Sequence, residues 1–153
     1  LTVKIENDEI SENVAKYACK PYIREFVRKL QRETKQHNEN IVMEGRDIGS
    51  VIFPDADLKI YVDCQVSERA KRRFADCSAD DPNLTYEQVL EALKDRDYKD
   101  MHREISPLVM CENAFLIDST LNDVFECEQL VIKEMVRRGL ITREHAKELG
   151  NFL

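Results

Sequence analysis

The segment 44–63, EGRDIGSVIFPDADLKIYVD, constrains the fold more than any other part of the chain. It places a Gly-Arg-Asp turn at 45–47 between two short apolar runs that favour β-strands, 41–43 and 58–62. In an open α/β sheet, ligands bind just outside the carboxyl ends of the strands. Arg46 in such a loop suits a phosphate or carboxylate, and the neighbouring glycines let the backbone approach a ligand closely. The alternative is a surface turn in which Arg46 and Asp47 pair with each other.

Composition narrows the class of protein. The chain has 153 residues, of which 42% are hydrophobic and 35% are charged, and this fits one folded domain with a substantial core. The formal net charge of −7 argues against a general nucleic-acid surface, so arginines that cluster despite it indicate a local anion site. No apolar run approaches the roughly 20 residues that a membrane span needs, so no membrane partner is expected.

The cysteines indicate a reducing compartment. There are five of them, without a Cys-x-x-Cys pair, and the three histidines do not lie at ligand spacing from them. This pattern argues against a structural zinc ion and against a disulfide framework. We therefore expect buried free thiols and a location in the cytoplasm or another reducing compartment, for example an organelle matrix.

Strand-like and helical segments alternate along the chain. The predicted strands are residues 41–43, 58–62 and 114–117. The predicted helices are a short one after Ser11, one from Ile23 to the polar stretch 35–40, one at 67–75, one at 85–103 that begins with a Thr85–Gln88 capping box, one at 121–138 with Gly139 as its C-cap, and a short one after Thr142. This alternation predicts an α/β fold with a parallel sheet covered by helices on both faces.

One predicted helix carries two arginines around an aspartate. Arg96, Asp100 and Arg103 are four and three residues apart, so the three side chains share a face of the helix. Asp100 can then orient both guanidinium groups toward an anion. An ordinary surface ion pair is the alternative.

A second basic helix lies at 67–75. Its arginines, Arg69, Arg72 and Arg73, share a face with Lys71 beside it. Cations this close repel one another unless an anion is usually present, and polyphosphate is the anion that most needs several guanidinium groups at once. A solvated face is the alternative.

The run from residue 10 to residue 118 resembles the cytidylate (CMP) kinases, bacterial-type nucleoside monophosphate kinases with a P-loop α/β fold. The matching segments, in the family's order, are PYIREFVRKLQR, EGRDIGSVIFPDADLKIYVD, SERAKRRF, DRDYKDMHREISPL and AFLIDST. The resemblance implies a parallel sheet flanked by helices and transfer of the ATP γ-phosphoryl group to CMP or dCMP with Mg²⁺. It also implies three segments: 1–40 as the remainder of the monophosphate-binding insert with its helices, 41–140 as the core with a lid at 66–84, and 141–153 as a C-terminal helical extension.

The resemblance assigns roles to nine residues. The substrate-binding set is Arg24, Arg46, Asp47, Arg96, Asp100 and Arg103, and the last three of these also act in catalysis by stabilising charge during transfer. The lid set, which closes over ATP, is Arg69, Arg72 and Arg73. No protein ligand for the metal is implied in this chain.

Three features depart from the family pattern. No G-x-x-x-x-G-K-[ST] motif occurs, and in the family this P-loop lies upstream of the matching segments and cradles the β- and γ-phosphates. Ala15 stands where the family usually has a serine that helps to hold cytosine, and Met101 replaces a small polar residue. We therefore expect a fold that is incomplete at its N-terminus and a chain that is inactive by itself.

Three functions fit these observations. The first is the acceptor, lid and C-terminal portion of a CMP kinase that a P-loop-bearing segment completes. The second is a catalytically inactive, kinase-like structural or assembly subunit of a larger complex, and the third is a module that binds CMP without phosphorylating it. The opening residues 1–5 look like half of a β-hairpin, which favours a part of a longer or split chain. The full set of acceptor-site arginines favours the first function.

Overall fold

The computed structural model describes residue 17, residues 20–79 and residues 81–149. In this range the elements are α1 (Pro21–Gln36), a π-helical turn (Ile48–Ile52), β1 (Ile60–Asp63), α2 (Val66–Cys77), α3 (Tyr86–His102), β2 (Phe115–Asp118), α4 (Val124–Arg137) and α5 (Arg143–Glu148). The chain forms two compact units. The first comprises Leu1–Pro54 and Asp100–Val109, and the second comprises Asp55–Lys99 and Met110–Leu153.

Helix α1 is the main element of the first unit. Proline at the start fixes a helical φ and needs no N–H partner there. The helix ends at Gln36, within the polar stretch 35–40 that was predicted to end it. The apolar residues Tyr22, Phe26 and Leu30 recur every four residues, and all three are exposed in the described structure. Helix α1 packs against the π-helical turn.

The π-helical turn comes immediately after the Gly-Arg-Asp sequence in the chain. The backbone N–H groups of Val51 and Ile52 both donate to the Asp47 carbonyl, at 2.8 and 3.2 Å, and Phe53 N–H donates to the Ile48 carbonyl at 2.7 Å. Ile52 is buried and anchors the turn. Gly45 has a φ of +155°, and a Cβ on it would lie 2.9 Å from Ile48 Cγ1, so this position requires glycine.

The predicted strand at 41–43 is not found. Residues 41–44 have no regular secondary structure, and the Val42 side chain is fully exposed. A strand exists only when its N–H and C=O groups pair with a neighbouring strand, and no described residue supplies those partners here.

In the second unit, β1 and β2 form a parallel pair with a register from Ile60↔Phe115 to Asp63↔Asp118. This confirms two of the predicted strands within two residues and the parallel arrangement. Among the described residues Val62 is 62% and Leu116 is 48% exposed, so no described helix covers the sheet at these two positions. Ile117, which is 2% exposed, marks the buried side of β2.

The helices of the second unit start within three residues of their predicted positions. Gln88 N–H donates to Thr85 Oγ1 and Thr85 N–H donates to Gln88 Oε1, which is the predicted capping box at the start of α3. Asp123 caps α4 in the same manner. Gly139 follows α4 with a φ of +72°, and Thr142 caps α5 through the N–H of His145, so both predictions for the end of the chain are confirmed.

A buried carboxylate binds two arginines at the C-terminal end of α4. Glu134 is 5% exposed and accepts hydrogen bonds from Arg137 Nε and Nη2 and from Arg138 Nε at 2.6–2.7 Å. These bonds lower the pKa of Glu134 to about 2. Arg138 also donates to the carbonyls of Asp57 and Asn113, which precede the two strands. Helix α5 packs on α4 through Ala146 and Ile132.

The four cysteines in the described part of the chain are free thiols. None of its helices is long and apolar enough to cross a membrane. Ser11 and Ala15 lie outside the described residues. The division into segments 1–40, 41–140 and 141–153 stays a prediction.

Candidate functional site

The first unit gathers four guanidinium groups and two carboxylates. Helix α1 contributes two arginines, the Gly-Arg-Asp loop contributes an arginine and an aspartate, and the segment that starts at Asp100 contributes the rest. The six residues are Arg24, Arg28, Arg46, Asp47, Asp100 and Arg103.

Arg24 and Asp47 form the most buried ion pair of this group. Arg24 Nη2 donates to Asp47 Oδ2, and both side chains are largely withdrawn from solvent. The pKa of Arg24 is lowered, first by burial and then by the positive charges of Arg103 and Arg28. Arg24 is therefore close enough to both Arg28 and Arg103 to be repelled by them, a cost that a bound anion would offset.

Asp100 links two further arginines. Its Oδ2 accepts from Arg46 Nε at 2.8 Å, and its Oδ1 lies 3.7 Å from Arg103 Nη1. The pairing of Arg46 with Asp47, which the sequence left open, does not occur, because each takes a different partner. Arg96, which we expected beside Asp100, is exposed and makes no ion pair with any described residue.

Two guanidinium N–H groups of this cluster have no acceptor among the described residues. They are Arg103 Nη2 and Arg28 Nε, and both atoms are buried. A buried charged donor without an acceptor costs more than an ordinary lost hydrogen bond. The four guanidinium groups also outnumber the two carboxylates by two, which matches the charge of a phosphate monoester near neutral pH. Glu25, the other carboxylate near Arg28, is 73% exposed and is therefore largely screened.

Arg32 holds the π-helical turn in place. Its Nε donates to the Ile52 carbonyl at 3.1 Å and its Nη2 donates to the Val51 carbonyl at 3.0 Å. The sequence reasoning gave neither Arg28 nor Arg32 a role. The four-residue spacing of Arg24, Arg28 and Arg32 on one helix is the pattern that would have indicated both.

The three predicted lid residues lie on α2, in the second unit. Arg69 donates to both carboxylate oxygens of Asp97, at 3.0 and 2.5 Å, and to the Cys64 carbonyl; the Asp97 hydrogen bonds raise the pKa of Arg69. Arg72 donates to Glu68 and to the Ser119 carbonyl. Arg73 is exposed on the same helix. Arg69 and Arg72 thus have protein partners, and the lid role of all three stays a prediction.

The described part of the chain contains no group of three or more His, Cys, Asp or Glu residues that could hold a metal ion.

Comparison with known proteins identifies the relatives of the chain. The family model described as cytidylate kinase matches residues 1–137. A cytidylate kinase of Thermosipho africanus is 40% identical over 124 residues, which are 81% of this chain and 55% of the relative. One from Pseudothermotoga lettingae is 37% identical over 135 residues, 88% of this chain and 60% of the relative. One from Streptococcus pneumoniae is 38% identical over 138 residues, 90% of this chain and 61% of the relative.

These matches confirm the resemblance that the sequence motifs indicate. The chain spans between 55% and 61% of the length of these relatives. Its helices and small parallel sheet are consistent with part of a P-loop nucleoside monophosphate kinase fold, so the predicted α/β fold class is also confirmed.

Proposed function

We propose, because the chain belongs to the cytidylate kinase family, that it forms the acceptor side of a CMP kinase. In this proposal it transfers the ATP γ-phosphoryl group to CMP or dCMP when it is joined to a P-loop-bearing segment. The observation that supports it most is the excess of guanidinium groups in the first unit, together with the buried, unpaired Nη2 of Arg103.

The monophosphate would be held by this cluster. Arg46 and Arg103, which Asp100 already contacts, present guanidinium forks that suit phosphate oxygens. Arg24 would bind the same anion, and Asp47, its present partner, would become free to accept a hydrogen bond from the sugar or base. Arg96, which is exposed on helix α3, is proposed to bind the monophosphate as well, by resemblance to the family.

The catalytic work would be electrostatic. Phosphoryl transfer needs alignment of donor and acceptor and neutralisation of the charge that develops, and it needs no nucleophilic side chain. Arg96 and Arg103 would neutralise that charge and Asp100 would orient the arginines. Mg²⁺, which would come with ATP, supplies further neutralisation of the β- and γ-phosphates when it is bound.

The ATP side would involve α2 as the lid helix. Arg69 is already tied to Asp97 by two hydrogen bonds, so its part would be to hold α2 against α3 while Arg72 and Arg73 meet the phosphates. We further propose that residues 1–40 complete the monophosphate-binding insert and that 141–153 form an extension. Free thiols favour a reducing compartment such as the cytoplasm.

The decisive experiment compares the full-length protein with residues 1–153 alone. ATP turnover is measured with CMP, dCMP and UMP, and CMP binding is measured by calorimetry. We expect CMP-dependent turnover from the full-length protein, CMP binding but no turnover from residues 1–153, and, in R103Q, loss of turnover with CMP binding that is weakened but still measurable. The matched control is K29Q, which removes an exposed cation of α1 that pairs with Glu33 on the same helix.

Each other outcome identifies a different function. CMP binding without turnover by the full-length protein would support a binding module and contradict the kinase. No heat with CMP in either form would leave the structural or assembly subunit as the surviving hypothesis. Equal affinity in the wild type and R103Q would show that the guanidinium cluster is not the site.

A further inference from the structure

Ser106 has an unusual backbone conformation. Its φ is +53°, which makes it the single non-glycine residue with a positive φ in the described part of the chain. This left-handed conformation is unfavourable for L-residues, and the residue before a proline, here Pro107, normally prefers an extended conformation. Ser106 is also only 8% exposed. Both the L-configuration of Ser106 and the proline that follows it disfavour this conformation. Such a conformation persists only when the surrounding structure requires it.

The left-handed backbone turns the Ser106 carbonyl toward the site. This oxygen accepts a hydrogen bond from Arg103 Nε at 2.6 Å. The turn is closed by Leu108 N–H, which donates to the Asp100 carbonyl at 2.8 Å, so the chain after α3 folds back over the last turn of that helix. The contact uses the backbone of Ser106 and leaves its hydroxyl uninvolved.

This contact decides which N–H of Arg103 faces a ligand. Nε is held by the Ser106 carbonyl, and Nη1 lies 3.7 Å from Asp100. Nη2 is the remaining nitrogen, and it is the buried donor without an acceptor. A guanidinium group is planar and rigid, so fixing Nε fixes the direction of both Nη atoms.

We propose that Ser106 is a positioning residue that holds the Arg103 guanidinium ready for an anion through its left-handed carbonyl. This inference rests on the proposed function, since the anion is taken to be the monophosphate of CMP. Ser106 would thus contribute to the site through its backbone carbonyl and not through its side chain. Strain stored at Ser106 is therefore used to pre-organise a binding group.

The test substitutes Ser106 and leaves its hydrogen-bond partner, Arg103, unchanged. S106G accepts the left-handed conformation, S106A removes only the hydroxyl, and S106V introduces a β-branched side chain that opposes the conformation. We expect the glycine and alanine variants of the full-length protein to keep CMP affinity within about twofold and the valine variant to lose about tenfold, the equivalent of one good hydrogen bond. Circular dichroism verifies that each variant is folded.

A double-mutant cycle separates positioning from structure. If Ser106 acts through Arg103, S106V should weaken CMP binding in the wild type and have no further effect in R103Q. An equal loss in both backgrounds would mean that the valine merely damages the fold, and it would overturn the proposal. Wild-type affinity in S106V would overturn it as well.

A measurement without CMP keeps the inference distinct from the proposed function. In the NMR spectrum, the Nε–H of Arg103 should exchange slowly with water in the wild type, S106G and S106A, because it is held in a partly buried hydrogen bond. A rapidly exchanging Nε–H in the wild type would refute the contact, whether or not S106V folds. A wild type that shows the protected Nε–H but binds no CMP would contradict the proposed function alone.

Discussion

Replacing Arg32 with glutamine should loosen the loop that carries Arg46 and Asp47. Arg32 donates two hydrogen bonds to the carbonyls of Val51 and Ile52, the last two residues of the π-helical turn. Along α1 it lies eight residues, about 12 Å, beyond Arg24, which holds the first end of the turn through Asp47. The turn is thus held at two points, and R32Q removes one of them.

The size of the effect follows from the two bonds. A hydrogen bond from a charged donor contributes about 1.5–3 kcal/mol when it is shielded and less in solvent. The bond to Ile52 is partly buried and the one to Val51 is exposed, so together we take about 2 kcal/mol, or about a 30-fold change in the opening equilibrium of the turn. R32K can make only one of the two bonds and should give an intermediate change.

Amide hydrogen exchange measures this opening directly. The N–H groups of Val51, Ile52 and Phe53 are bonded inside the turn, so they should exchange about 30-fold faster in R32Q. K29Q, which removes a neighbouring exposed cation from α1, should leave these rates unchanged. If these amides exchange equally fast in the wild type and R32Q, Arg32 does not hold the turn and the reasoning is refuted.

Three further changes test other parts of the structure. G45A should destabilise the protein by more than about 1 kcal/mol and weaken CMP binding, because the new methyl group meets Ile48 at 2.9 Å at a positive φ; wild-type urea unfolding and CMP calorimetry would contradict this. T85A should cost about 1 kcal/mol in urea unfolding through loss of the α3 cap, and an unchanged midpoint would contradict the capping box. Because the pKa of Glu134 is about 2 in the folded chain against an ordinary value of 4.5, its ionised form stabilises the fold fully above about pH 5, and this stabilisation is lost as the pH falls toward 2. The stability difference between wild type and E134Q should therefore shrink over that range. A difference that does not change with pH would contradict the lowered pKa of Glu134.

Local sequence patterns predicted those parts of the fold that depend on nearby residues. Capping by Thr85 and Thr142 and the left-handed Gly139 were predictable, because each bond joins residues within one turn of the same helix. The strand at 41–43 was not predictable in this way, since an apolar run becomes a strand only beside a neighbour. The exposed faces of Val62 and Leu116 show the same dependence on what lies next to the sheet.

Within the candidate site, residue types were predictable and pairings were not. Spacing along one helix suggested that Asp100 would lie between Arg96 and Arg103, whereas Asp100 in fact takes Arg46 from a loop 54 residues away in sequence. Such a contact depends on tertiary packing, and helical periodicity gives no information about tertiary packing. The contribution of Ser106 is still harder to read, because it comes from a backbone torsion that serine before proline rarely adopts.

Arg138, which follows α4, contacts the segments that precede both strands of the sheet. The family model matches residues 1–137, and Arg138, whose side chain reaches the carbonyls ahead of both strands, is the next residue. A chain that ended at residue 137 would lose these contacts and one of the three hydrogen bonds that Glu134 accepts. Arg138 thus ties the C-terminal end of α4 to the segments that lead into β1 and β2.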